Sequence, residues 1–139
     1  MKPHTIPMSS FIDQIKWNND GLVPVITQDA ASGRVLMHAW ANKEALQNSV
    51  KEGLAVYWSR SRSGLWRKGE QSGNTQKLVD VYLDCDNDTL CYQVEQKGGI
   101  ACHTGRESCF YQKLEGGKWL KTESVLKDPS SIYGQSGIL

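Results

Sequence analysis

No stretch of this 139-residue chain stays apolar long enough to cross a bilayer. The amino terminus, MKPHTIPMSSFIDQIKW, has an early lysine but no apolar run of signal-peptide length behind it. Helical membrane proteins and exported proteins are thereby set aside, and a cytoplasmic location is expected. An excess of one charge is lacking too. Sixteen basic and fifteen acidic residues leave a net +1, and the basic ones are scattered, so no stripe argues for nucleic acid as the main partner. No internal repeat or low-complexity segment appears. Cysteine is limited to four positions, Cys85, Cys91, Cys102 and Cys109, none in the close C-x2-C knuckles of common zinc folds. In a reducing compartment they read as metal ligands in preference to two disulfides. The length suits one domain with a single core, taken as 1–139, with 1–18 and 112–139 as extensions at its ends.

What is present is a concentration of metal-binding side chains in two stretches, VYLDCDND and IACHTGRESCF. Cys85, Cys102 and Cys109 offer soft sulfur, Asp84, Asp86 and Asp88 offer hard oxygen, and His103 stands beside Cys102. Thiolates select zinc and similar ions, whereas an alternating carboxylate run suits magnesium, calcium or manganese, so two metals of different character are expected. A calcium loop of the EF-hand type is the nearest competing motif, because Asp84, Asp86, Asp88 and Glu95 fall at its positions one, three, five and twelve. Thr89 occupies its glycine position and strand patterns flank it, which argues against that reading. A charged β-turn is the plain alternative, uncomfortable without a cation because three carboxylates repel one another.

The chain reads as α+β, mainly antiparallel strands with one or two short helices. GLVPVITQ and RVLMHAW are strand-like and joined by a hairpin connection over Asp29–Gly33. Asn42 is the N-cap of a helix KEALQNSVKE, with Ala45, Leu46 and Val50 on one face and Gly53 as its stop. LAVYWS follows as a strand. In KLVDVYLDC, Val79, Val81, Leu83 and Cys85 alternate with Leu78, Asp80, Tyr82 and Asp84, so a continuing strand sends Cys85 to one face and Asp84 and Asp86 to the other. CFYQKL and KWLKT flank a hairpin signal at Glu115-Gly116-Gly117, and the tail DPSSIYGQSGIL is turn-rich, with Ile132 and Tyr133 available to dock it.

Between Ser59 and Gly73 the sequence SRSRSGLWRKGEQSG reads as one long polar loop of the kind that serves a site. Arg60 and Arg62 carry paired donors for phosphate or carboxylate, and Ser59, Ser61 and Ser63 add hydroxyls. Trp66 provides a face for a purine. Lys68, Glu70 and Ser72 complete the candidate substrate contacts. The bland alternative is a solvated turn.

The blocks LVPVITQ, VLMHAWANKEAL, AVYWSRSRSGLWRKGEQSG, DCDND and ACHTGRESCF, in this order and spacing, resemble the phosphoribosyl-AMP cyclohydrolases of histidine biosynthesis from Gly21 to Phe110. The resemblance implies the third step of that pathway: hydrolysis of the N1–C6 bond of the adenine ring of 1-(5-phosphoribosyl)-AMP, giving the phosphoribosylformimino-aminoimidazole carboxamide ribotide. It implies an intertwined twofold homodimer with a zinc site shared across the interface, Cys85 from one subunit and Cys102 with Cys109 from the other. It also implies magnesium on Asp84, Asp86 and Asp88. KDPSSIYG resembles the extension of single-function members, and no fused pyrophosphohydrolase follows, so a monofunctional enzyme is expected. Cys91 departs from the family, where an apolar residue is expected, and leaves the fourth zinc ligand open; Ala41, often methionine in the family, and Gln71 look like tolerated variation.

The chemistry accounts for the ligand set. Water must add to C6 of a purine made electrophilic at N1. A catalytic zinc with three protein ligands keeps one position for water and lowers its pKa from about 15.7 to about 7. Strongly donating thiolates call for a nearby proton acceptor or hydrogen-bond partner, and His103 is the candidate catalytic residue; whether it takes the proton from water or protonates departing N1 stays open. A buried structural histidine is its bland alternative. Two other functions remain in view: a structural zinc module in which Cys91 completes a closed four-cysteine site, and a deaminase acting on a free nucleotide.

Overall fold

The computed structural model describes residues 11–130; the docking expected of Ile132 and Tyr133 lies outside them. The order of elements is β1 (Val23–Asp29), β2 (Val35–Ala41), α1 (Lys43–Glu52), β3 (Val56–Ser59), β4 (Gly64–Arg67), β5 (Gln76–Leu83), β6 (Leu90–Gln96), β7 (Gln112–Glu115) and β8 (Lys118–Lys121). Six strands form one mixed sheet in the order β4-β3-β2-β1-β6-β5, and β7 with β8 forms a separate two-stranded sheet. The architecture is therefore α+β. Neighbours in the large sheet are antiparallel except β1 and β6, which run parallel from Val25↔Leu90 to Asp29↔Val94.

The expected β1–β2 hairpin forms. Asp29 closes its connection by accepting the backbone N–H groups of Ala31 and Ser32, and Val23↔Ala41 through Thr27↔Met37 set the register. Val23, Val25 and Thr27 bury one face of β1, and Leu90, Tyr92 and Val94 continue that face on β6. Helix α1 begins where Asn42 accepts the N–H of Ala45 at 2.8 Å and ends at Gly53 in the left-handed conformation. Its buried face is Ala45, Leu46 and Ser49, whereas the expected Val50 is 42% exposed. Ser49 replaces it because its hydroxyl has work inside: it donates to Ala45 O and Val56 O and accepts the N–H of Val56 at 2.8 Å, tying the helix to β3.

Four further expectations need correction. The segment from Ser59 to Gly73 is not one loop, since Gly64–Arg67 pairs with β3 as β4 and puts Trp66 opposite Tyr57. On β5 a register shift between Leu78 and Asp80 turns Val79 outward, 45% exposed, while Leu78, Val81 and Leu83 pack on the core. Period-two counting fails across such a bulge because one residue is left unpaired. The strand also stops at Leu83, so Cys85 and the aspartates lie in a turn and strand alternation does not separate them. Similarly, the segment starting at Cys109 becomes a strand only at Gln112. The Gly116-Gly117 hairpin forms as expected, with Leu114 opposite Trp119.

Ser49→Ala should lower unfolding stability by about 1–3 kcal/mol, because the N–H of Val56 is left buried without its acceptor. Urea denaturation of both proteins checks it, and a change within 0.5 kcal/mol would contradict the tie between α1 and β3.

Candidate active site and metal-binding side chains

Residues Asp84–Asp88 form a tight turn on the β5–β6 connection. Asp84 N–H pairs with Thr89 O at 3.0 Å, Asp84 O accepts from Asn87, and the Asp84 carboxylate accepts from the N–H groups of Asp88 at 3.0 Å and Thr89 at 3.2 Å. Lys16 N–H holds the crest by donating to Asn87 O at 2.7 Å. This local bonding gathers one oxygen each from Asp84, Asp86 and Asp88 within 4.8 Å of one another on the exposed surface. The donor set is all oxygen, as a hard cation needs.

Cys102 and Cys109 are neighbours on the loop after β6. That loop is pinned to β2, where Cys109 N–H donates to Leu36 O at 2.7 Å and Ser108 Oγ donates to Val35 O at 2.8 Å. Although Cys109 is exposed as a residue, its sulfur turns toward Cys102, which is buried. Hydrogen bonding from Cys109, assisted by the Thr104 hydroxyl at 3.0 Å, outweighs burial and pulls the Cys102 thiol down to about 5. The same bond, together with burial and the nearby Cys102 charge, pushes Cys109 up. This pair of soft donors, with the Cys102 thiol pulled down, is of the kind that could hold zinc, whose tetrahedral sites take further ligands.

Cys85 is not the third member within this chain. Among the described residues, the aspartates are the only three ligand atoms of this kind that converge. Seven-residue β6 lies between the turn carrying Cys85 and the loop carrying Cys102, and such a strand spans roughly 20 Å. Cys91 stands apart as well, half-buried on β6 with its sulfur 3.9 Å from Gln28 Oε1, and burial pushes its thiol up. All four thiols are free.

The expected substrate contacts do come together. An open cleft of about 350 Å³ is lined by Arg60, Arg62, Trp66 and His103 among others, and an adjoining pocket is lined by Arg62, Trp66, Lys68, Glu70 and Ser72. Alternation on β4 explains the arrangement: Trp66 and Lys68 face the site, while Arg67 between them forms two hydrogen bonds with Glu52, at 3.1 and 2.8 Å. Lys68 is buried, its ammonium donating to Ala101 O at 2.5 Å and lying 5.3 Å from the Trp66 ring centre. Burial lowers its pKa, and the Cys109 and Cys102 thiols oppose that shift.

Sequence reasoning missed His38, Trp40 and Trp58, which also line the cleft. Trp40 pairs directly with Trp58 across β2 and β3, the His38 ring meets Trp40 edge-on at 5.5 Å, and the Arg60 guanidinium sits 4.5 Å over Trp40. The signal was legible: in RVLMHAW, His38 and Trp40 alternate with the buried Met37, Ala39 and Ala41.

A family model described as phosphoribosyl-AMP cyclohydrolase matches residues 37–111. Three curated relatives carry the same name. The protein of Methylococcus capsulatus is 58% identical over 127 residues, covering 91% of this chain and 99% of its own. That of Saccharophagus degradans is 60% identical over 125 residues, covering 90% and 98%. That of Pseudomonas aeruginosa is 58% identical over 130 residues, covering 94% and 97%.

The turn makes a prediction about pH. The N–H of Asp88 foremost, then that of Thr89, holds the Asp84 carboxyl below its ordinary value of 3.8. A depressed folded value means the stabilisation of the turn is fully present above 3.8 and lost as pH falls through the lower, folded value. In an NMR titration of metal-free protein the Asp88 and Thr89 amide signals should shift with a midpoint below 3.8; a midpoint at or above it would refute the caps.

Proposed function

We propose, because the chain belongs to the phosphoribosyl-AMP cyclohydrolase family, that it hydrolyses the N1–C6 bond of the adenine ring of phosphoribosyl-AMP in histidine biosynthesis, as a zinc- and magnesium-dependent homodimer. The observation that carries the reading is the joining of two cavities at Arg62 and Trp66, with His103 on one and Lys68, Glu70 and Ser72 on the other. Phosphoribosyl-AMP has an aromatic centre and phosphates at its ends. Trp40, Trp58 and Trp66 offer faces to the ring, and Arg60 and Arg62 offer guanidinium donors to phosphate. Nothing in a closed structural zinc module calls for such a cleft, and Cys91 lies away from the thiol pair that it would have to complete.

Cys102 and Cys109 would hold zinc with Cys85, and Asp84, Asp86 and Asp88 would hold magnesium. When bound, zinc makes water a competent nucleophile at neutral pH, and magnesium neutralises phosphate or ribose oxygens. The chain's own residues do the remaining work. His103, beside Cys102 on the cleft, moves a proton at the attacked water or at departing N1. Lys68 anchors the thiol loop through Ala101 O. Arg60, its guanidinium over the Trp40 ring, is presented to the cleft.

Since β6 separates Cys85 from the thiol pair, a three-cysteine site closes only when the turn of a second copy reaches the thiol loop of the first. A twofold dimer supplies two such meetings. Each subunit then contributes one thiol to its partner's site and two to its own.

Turnover of phosphoribosyl-AMP, followed by the ultraviolet change on ring opening, tests the chemistry. Protein stripped by chelator should be inactive, zinc should restore turnover and magnesium should raise it further. Fully metallated, dimeric protein without turnover would overturn the substrate assignment, and ammonia release from AMP would favour deamination.

Subunit mixing tests the shared site. Cys85→Ser and Cys102→Ser homodimers should each be inactive, whereas unfolding and refolding them together should recover roughly a quarter of wild-type turnover, since half the dimers are mixed and each has one intact site. No recovery from properly refolded mixtures would place all three cysteines in one subunit.

A further inference from the structure

A buried series of hydrogen bonds, used by none of the chemistry above, runs from the centre of the sheet to the neck of the pocket loop. Thr27 and Tyr57 share a bond of 2.7 Å between their hydroxyls, and Tyr57 donates to Gln76 Oε1 at 2.6 Å. Gln76 Nε2 donates onward to Gln96 Oε1 at 2.8 Å and to the Met37 sulfur at 3.3 Å. Thr27, Tyr57 and Gln76 have no exposure to solvent, so the orientation of the Gln76 amide is fixed by protein partners alone.

The series ends at Gln96, whose amide nitrogen donates to Asn74 O at 2.9 Å, Lys97 O at 3.3 Å and Thr75 O at 3.4 Å. These acceptors belong to two different segments. Asn74 and Thr75 close the loop that carries Glu70, Gln71 and Ser72 into the pocket, and Lys97 opens the turn leading through Ile100 and Ala101 to Cys102. Lys97 N–H donates to Thr75 O at 2.9 Å, and Lys68 clamps the far side through Ala101 O. Two glycines let the segments meet: a Cβ on Gly69 would stand 2.3 Å from Thr75 N, and one on Gly98 would stand 2.3 Å from Asn74 Oδ1.

We propose that Gln96 is a positioning residue, a clasp that sets the pocket loop, 68–75, against the thiol loop carrying Cys102 and His103. The inference rests on the functional reading above, in which both loops serve one reaction. With the clasp in place, the pocket loop holds substrate at a fixed distance from His103. Without it, the Lys97–Thr75 and Lys68–Ala101 bonds still join the two loops, but their register loosens.

Gln96→Met keeps the side chain's length and removes every bond it makes; Gln96→Glu keeps the acceptor for Gln76 but turns a carboxylate on carbonyls. Both variants should fold cooperatively and retain zinc, and kcat/KM for phosphoribosyl-AMP should fall about tenfold, carried by KM. Amide exchange should quicken together in 68–75 and 97–102, while β1 keeps wild-type protection. A lowered melting temperature with unchanged KM, or exchange that quickens in only one of the two segments, would overturn the clasp. Should wild-type protein fail to turn over phosphoribosyl-AMP, the functional reading falls, and paired or unpaired exchange still decides for or against the clasp.

Discussion

Parallel strands cannot be joined by a tight turn, so the pairing of β1 with β6 obliges the chain to pass through β2, α1, β3, β4 and β5 before it returns to the sheet centre. That detour puts the aromatic edge of the cleft, the pocket loop and the aspartate turn on one continuous excursion. It also fixes direction. Because β6 leaves the aspartate turn and climbs alongside β1, the loop after it emerges at the opposite end of the sheet, where Leu36 and Val35 carbonyls capture Cys109 and Ser108. The separation of one cysteine from the other two is thus a property of topology, and on the proposed reading sharing between copies is the economical way to complete a zinc site.

Around that central pair the core is polar as well as apolar. Val23, Val25, Tyr92 and Val94 are sealed from water, yet so are Thr27, Tyr57, Ser49 and Gln76. Isolated polar groups in such a place would be costly, but here each has a partner, and a satisfied network specifies one arrangement of its neighbours more sharply than apolar packing does. Tyr57 packs 5.4 Å from the Trp66 ring while bonding Gln76, so the same side chain touches the cleft's aromatic wall and the series that ends at the clasp. The rigidity of the site is drawn from the core beneath it.

The local signals in the sequence were the reliable ones. Asn42 and Gly53 bound the helix as capping chemistry requires, and the glycine pair before Lys118 made its hairpin. Pattern alone failed where a tertiary partner decided the outcome. Val50 faces solvent because Ser49 answers a carbonyl and an amide of β3, which no periodicity of α1 reveals. Val79 flips at a bulge, and β4 arises inside what reads as a polar loop because Trp66 has Tyr57 across from it. In the site, the loop residues and the aspartates were legible from residue type and spacing. Trp58 was visible only once β3 lay beside β2, and Gln96, polar at the end of a strand, has no signal of its own without Gln76.

The two groups proposed to hold metals differ in how their charge is handled, and on that reading this bears on the order in which the site assembles. The aspartates are exposed, so water screens their mutual repulsion, and the turn is held by its backbone bonds and by the Asp84 carboxylate, which accepts the Asp88 and Thr89 N–H groups. Cys102 is buried, and hydrogen bonds from Cys109 and Thr104 lower its thiol pKa, with the Lys68 ammonium nearby, so that a charge there would be tolerated. A charge held in that way is preorganised for a cation before any cation arrives, whereas the aspartate turn gains its full value only with a cation and the substrate oxygens it would meet. On the proposed reading the thiol loop is therefore a structural as well as a chemical element, completed when two subunits meet, and the aspartate turn responds to substrate.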